Sequence, residues 1–415
     1  MCLKVTMVIP SYWGRESYVG WKKGDAVYDH ATPLDSNGTL LRTIQSTNIL
    51  RDQDFQLVVI AVSTSEDIEQ LVEKKLTNLI KSTSTNVQVL LFGPSHLQKV
   101  HDRLILAGKK EYIDLLQLRK YSNIRNLCLF IPHILDSDVA VLIDDDEVFE
   151  DPDFMTKAKE FIGKNIDDKA INAVAGYYIQ PDGDYHINKS EQQWMKYWDQ
   201  YHRMNEAFDK VIGTEPRLKE TPFAFGGNMI IHRDLFTVVP FDPNISRGED
   251  IDFLINAKMF GYSFFLDNQL SIRHLPPPKR HPQWKQLRED IYRFIYEREK
   301  IRNQKDIDGM TKVYPEEFYP YPGCFLKNDL ENRIEKSCTL MSEGYLALGD
   351  KKGSDEALNN ILLAKTEFLP GHDPFQSMVV LQRHWQKFME FTGKEEIRSN
   401  IREIIENGTG KDIVY

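Results

Sequence analysis

Positive charge is in short supply in this chain. Its 415 residues carry 52 lysines and arginines against 62 aspartates and glutamates, a formal net charge of −10. Nonspecific binding of nucleic acid or of an anionic membrane needs clustered positive charge, so the sequence disfavours both partners. Long apolar runs are missing as well. None approaches the ~18 uninterrupted residues of a transmembrane helix, so no transmembrane segment is expected. Cysteine is scarce: Cys2, Cys128, Cys324 and Cys338 are scattered, with no CxxC pair and no zinc spacing. They read as ordinary thiols of a reducing compartment. The opening stretch, Met1 to Pro10, is apolar but too short for a signal peptide and reads as a first strand, so a cytoplasmic enzyme is expected. Internal repeats and low-complexity tracts are also missing.

With 41% hydrophobic and 27% charged residues, the chain is globular and long enough for two domains. Strand-like runs alternate with helical stretches through the first two-thirds. Strands are expected at 5–10, 55–62, 87–92 and 139–143, and helices at 39–49, 66–80 and 112–135. This order predicts an α/β fold with a mostly parallel sheet and right-handed crossovers. Further strands are expected at 170–179 and 262–266, an aromatic helix at 191–211, and an apolar segment at 223–231. From about residue 283 the pattern turns helical and charged, with helices expected at 283–302, 330–348, 354–365, 373–391 and 395–407. The predicted organisation is therefore a Rossmann-like domain over 1–282 and a C-terminal helical appendage over 283–415. Tyr345, Leu346, Leu348 and the run 361–363 read as buried positions of that appendage.

The most informative feature is the run Asp144-Asp145-Asp146-Glu147 directly behind the apolar stretch Val139 to Ile143. Five apolar residues suit a strand covered on both faces. Carboxylates at its end fall on the carboxyl edge of the sheet, where open α/β folds bind ligands. Adjacent carboxylates raise each other's pKa unless a cation neutralises them, and hard divalent cations prefer such oxygen ligands. A solvated acidic turn that caps the next helix is the plainer alternative.

Other motifs flank this run in a definite order. Pro10-Ser11-Tyr12 ends the first strand, and Arg125-Asn126 lies on the helix before the acidic strand. Gly226-Gly227 and then Gly248-Glu249-Asp250-Ile251-Asp252 follow it. His274 comes last, ahead of the proline-rich loop that carries Lys279 and Arg280. The order resembles the GT-A fold glycosyltransferases, most closely the inverting family 2-like group with its Asp-x-Asp motif, over roughly residues 3 to 280.

The resemblance implies transfer of a sugar from a UDP- or GDP-sugar donor to an acceptor hydroxyl, assisted by Mn²⁺ or Mg²⁺. Carried onto this sequence, Asp146 and His274 bind the metal, while Asp144 and Asp145 lie by the ribose or diphosphate. Pro10, Tyr12, Arg125, Gly226, Gly227, Lys279 and Arg280 flank the donor. The same pattern makes Asp250 the general base, with Glu249 beside it and Asp252 on the acceptor. Each also has a plainer reading, such as helix-capping acids for 249 and 250 or a simple turn for the glycine pair.

The residues also leave other chemistry open. A retaining glycosyltransferase of the glucosyl- or mannosylglycerate type combines similar motifs. Asp144-x-Asp146 would also suit a haloacid-dehalogenase-like phosphatase, although no partner motifs follow. The related nucleotidyltransferases carry a glycine- and lysine-rich loop after the first strand, which this chain lacks. The loop from Tyr12 to Asn37 is long for a βα connection and holds Trp13, Arg15, Trp21, Tyr28, Asp29 and His30, so it is expected to cover the site. Trp194, Tyr197, Trp198 and Tyr201 have near-helical spacing and read as packing more than as a sugar platform. Tyr314, Phe318, Tyr319 and Tyr321 could line the acceptor side or simply fasten the helices.

Overall fold

A computed structural model describes residues 3–166, 168–277 and 281–407. The strands, in chain order, are β1 (Val5–Gly14), β2 (Thr32–Pro33), β3 (Gln56–Ser63), β4 (Val89–Phe92), β5 (Val139–Ile143) and β6 (Glu147–Val148). They continue with β7 (Asn165–Ile166), β8 (Lys169–Ala170), β9 (Ala173–Ile179), β10 (Leu218–Glu220), β11 (Asn228–His232) and β12 (Phe264–His274). Ten of them form one sheet whose main path runs β10-β12-β9-β11-β5-β1-β3-β4. β4, β3, β1 and β5 are mutually parallel, β9 and β12 are parallel, and β11 lies antiparallel between the two groups. The expected α/β class with a mostly parallel sheet is what the chain adopts.

Strand alternation builds a three-layer packing. On β5, Val139, Val141 and Ile143 point into one apolar layer, and Ala140 and Leu142 into the other. β3 splits in the same way, Leu57, Val59 and Ala61 against Val58, Ile60 and Val62. All five residues of β5 are buried, as a strand covered by helices on both faces requires. One layer is closed by the helices Leu40–Ser46, Glu69–Ser82 and Phe154–Phe161. The other holds Pro94–Leu106, Tyr121–Ile134, Gln200–Val211 and Glu249–Met259, together with the helices beyond residue 283.

Those C-terminal helices are Gln283–Arg302, Leu330–Ala347, Lys351–Lys365, Pro374–Thr392 and Glu395–Glu406. They build on the sheet's own apolar layer. Phe388 stacks on Phe130 with ring centroids 5.2 Å apart, and Trp385 Nε1 donates to the Phe236 carbonyl at 2.9 Å. The outer side of this region departs from expectation: Leu346, Leu348 and Leu362 are 56%, 84% and 61% exposed. Leu348 lies past the end of the helix Leu330–Ala347, while Leu346 and Leu362 point away from the buried faces of their own helices. Among the described residues no helix is long and apolar enough to cross a membrane.

Candidate active site

A cleft of about 550 Å³ opens at the carboxyl ends of β1 and β5. The short strand β6 determines what meets what there. It pairs antiparallel with β12 in a register that sets His274 opposite Glu147, and Leu275 N donates to the Asp146 carbonyl at 2.9 Å. His274 is thereby carried to the acidic turn, and its Nε2 lies 3.6 Å from Asp146 Oδ2. Tyr178, near the end of β9, stacks on the His274 ring at 4.8 Å, and its hydroxyl accepts from Gly227 N at 2.8 Å.

The loop between β1 and the first helix adds a candidate ligand that the motifs did not assign. Tyr28 packs against Tyr12 and Tyr121 with ring centroids 4.7 and 5.0 Å away, and Asp29 N donates to the Tyr121 hydroxyl at 2.7 Å. His30, held through Nδ1 at 2.9 Å from the Pro277 carbonyl oxygen, faces Asp146 and His274. One ligand atom from each of His30, Asp146 and His274 falls within 4.8 Å of the other two, the reach of a single metal ion. Burial drives the Asp146 carboxyl up, but its bond to His274 and the two imidazoles outweigh this and hold it below its usual range.

The rest of the acidic run has different tasks. Asp144 accepts from Arg125 Nη2 at 2.9 Å, and its backbone N donates to the buried Glu147 Oε2 at 3.0 Å. Asp145 turns inward and accepts from Ser11 Oγ at 2.6 Å, while its carbonyl takes the Thr43 hydroxyl at 2.8 Å. Burial and the neighbouring Asp146 push its carboxyl well up. Asp145 therefore braces the turn as well as lining the cleft.

Across the cleft, Arg125 bridges two acids, Asp144 and Glu249, the latter through Nε at 3.2 Å. Its third nitrogen, Nη1, is buried without a protein partner. Glu249 and Asp250 open the helix Glu249–Met259 behind Gly248, whose φ of 72° suits glycine. Asp250 Oδ2 accepts from Gly226 N at 3.1 Å and Oδ1 from Ile251 N at 2.9 Å. Burial raises both acids, Glu249 to about 7 in spite of Arg125.

Arg293, on the helix Gln283–Arg302, stands behind Asp250 and donates to the Tyr321 hydroxyl at 2.9 Å. Asp290, Arg293 and Tyr321 thus bring the C-terminal region into the cleft. Of the four linker aromatics, only Tyr321 lines the cleft. Phe318 is buried in the core, while Tyr314 and Tyr319 are exposed.

Several expected residues sit elsewhere. Asp252 is fully buried and bonds to Lys300 Nζ at 2.7 Å and Asn256 Nδ2 at 2.7 Å, away from the cleft. Two residues beyond Asp250, the helical period turns it to the opposite side, so the structure does not bring it to an acceptor. Pro10 lies inside β1, paired with Ile60 and not on the cleft wall. Lys279 and Arg280 fall outside the described residues. Gly226 lines the cleft, but at both glycines the space a side chain would need is already taken by protein. A Cβ on Gly226 would lie 2.7 Å from Arg125 Nη2, and one on Gly227 would overlap Glu147 Oε1 and lie 2.7 Å from Asp144 Cγ. Gly227→Ala is therefore expected to displace Glu147 and Asp144 and to cost about 1–3 kcal/mol in urea unfolding, with the fold retained by circular dichroism.

Lys300 itself is fully buried between Asp252 and Asp242, the second pair at 3.0 Å. Lys300→Met strands two buried carboxylates and is expected to cost about 3–5 kcal/mol in urea unfolding. A loss below about 1 kcal/mol would show that water reaches these acids.

No protein-family model matches the chain, and no curated protein matches its sequence. Among solved structures, it is similar over 99% of its length to the mannosyltransferase PcManGT from Pyrobaculum calidifontis in complex with GDP-Man and Mn²⁺. That match covers 88% of the other chain at 11% identity and a TM-score of 0.40. It is similar over 72% of its length to 51% of GalNAc-T7 with UDP, GalNAc and Mn²⁺, at 14% identity and a TM-score of 0.34. A mycobacterial protein is similar over 70% of this chain and 74% of its own, at 13% identity and a TM-score of 0.33. At such scores no residue here is matched to a residue there, and the chemistry rests on the cleft itself.

Proposed function

We propose that this chain is a metal-dependent glycosyltransferase of GT-A organisation, moving a sugar from a nucleoside diphosphate to an acceptor hydroxyl. The observation that carries the reading is the convergence of His30, Asp146 and His274 within 4.8 Å at the carboxyl edge of the sheet. A buried arginine, the buried Glu249 and the half-buried Asp250 stand across the same cleft.

Two imidazoles and one carboxylate suit a transition ion such as Mn²⁺ better than Mg²⁺, which prefers oxygen ligands throughout. His30, Asp146 and His274 would hold it, and the bound cation would neutralise the charge that gathers on the departing diphosphate. Arg125, tied to Asp144, lies ready for a phosphate or ribose oxygen, since its Nη1 lacks a protein partner. Asp250, fixed by two backbone N–H groups, is the base that takes the acceptor proton, and this favours inversion at the anomeric carbon. Glu249 anchors Arg125 beside it.

The direct test is incubation with a panel of UDP- and GDP-sugars, with Mn²⁺ or Mg²⁺, and NMR of the product. Transfer that prefers Mn²⁺ and inverts the anomeric centre is expected. Retention would remove the base role from Asp250, and turnover undiminished by chelator would remove the metal role from the trio.

A further inference from the structure

Beside the cleft lies a larger cavity, about 1360 Å³, that the transfer chemistry leaves unused. Ile187, Lys189 and Tyr201 line both spaces, so the two adjoin across these side chains. One wall comes from the turn 193–196 and the start of the helix Gln200–Val211, the other from the helix Leu330–Ala347. We propose that this cavity is an extended acceptor subsite, taking the units of a neutral oligosaccharide beyond the one that receives the transferred sugar. The proposal rests on the glycosyltransferase reading above.

Size is the first argument. The cavity exceeds the few hundred to about 1,000 Å³ typical of a pocket for one small ligand, whereas the cleft falls inside that range. Charge is the second: Lys189, Lys196 and Lys336 are matched by Glu191, Asp199 and Glu335, so the lining has no net charge to attract a polyanion.

The aromatic residues supply the third argument, because they divide into two pairs. Trp194 and Trp198 are buried, and their indole N–H groups donate to Gln192 and Gln200 at 2.7 and 3.0 Å, which fixes the turn. Tyr197 and Tyr201 are only half-buried and line the cavity. Lysine ammoniums stand over their rings, Lys336 at 5.0 Å from Tyr197 and Lys189 at 5.8 Å from Tyr201. A cation over a half-exposed ring is held weakly, so the apolar face of a sugar can displace it while the tyrosine hydroxyl stays free to hydrogen-bond. Exposed amides on the two walls, Gln193 and Asn332, suit the hydroxyls around such a ring.

The test uses the full chain with Mn²⁺ and GDP or UDP, titrated by NMR with gluco- and manno-oligosaccharides of one to six units. For at least one series, affinity is expected to improve by about tenfold between one and four units and then level off. Tyr197→Ala should flatten that gain while leaving monosaccharide binding and thermal stability unchanged, and Tyr197→Phe should keep it. Affinity independent of length in every series would overturn the proposal, as would a gain that survives Tyr197→Ala. Mn²⁺ and nucleotide binding, read on the same samples, judge the transfer reading separately.

Discussion

Asp146→Ala is expected to leave the chain folded, remove tight Mn²⁺ binding and lower sugar transfer to background. Asp146 supplies the one carboxylate of the three-residue cluster, and it is buried at the floor of the cleft. Without it, two imidazoles face the cation, and neither offsets its charge. His274→Ala and His30→Ala should each weaken Mn²⁺ binding less severely, since the charged carboxylate and one imidazole remain in either case. The His30 variant is informative because that residue reaches the site from the loop after β1, far from the acidic run in sequence. Isothermal titration with Mn²⁺ reads all three. Full activity of Asp146→Ala in chelator would end the metal reading.

The second large effect is on the proton. Asp250→Asn keeps the size of the side chain and an oxygen for the Gly226 amide, but it cannot accept a proton. Turnover should fall by about 10²-fold or more while nucleotide affinity stays close to that of the native chain. The pH profile sharpens the test. A carboxylate acts as a base only when ionised, and burial raises both Glu249, to about 7, and Asp250. For the native enzyme kcat/KM should therefore fall with decreasing pH at values above the ~4 at which an ordinary carboxylate titrates. The two acids touch the same environment, so this limb belongs to the pair. Residual activity of Asp250→Asn should lose it. Equal losses of nucleotide binding and turnover would instead make Asp250 a donor-site or structural residue.

The parts legible in the sequence were those set by local pattern. An apolar pentapeptide suits a strand covered on both faces, and β5 is that strand, with the acids on the turn behind it. The helix Gln283–Arg302 begins and ends where its period and flanking residues place it. Pro94–Leu106, which is not among the expected helices, also has a local signature, Leu97, Val100 and Leu104 behind a proline start. The expected helix over 191–211 is broken into a short turn at 193–196 and the helix Gln200–Val211.

What could not be read was anything fixed by pairing between distant segments. His274 meets Asp146 through the register of β6 on β12, and β12 extends well past the expected end at 266. His30 joins them only because the loop is fastened to Pro277 and Tyr121. Arg293 and Tyr321 enter the cleft because the C-terminal helices share the sheet's apolar layer, a fact no local window contains. Asp252 shows the opposite error: it lies next to the acidic pair in sequence, but the helix turns it into the core.

The central claim is that His30, Asp146 and His274 hold a divalent ion that a nucleoside diphosphate then shares. Electron paramagnetic resonance of Mn²⁺ tests it most directly, because free Mn²⁺ gives a strong signal that binding suppresses. The account predicts that the native chain suppresses the signal, that GDP or UDP tightens this binding, and that Asp146→Ala leaves Mn²⁺ free under the same conditions. Mn²⁺ that stays free with the native chain and nucleotide, or that binds Asp146→Ala equally well, would contradict it.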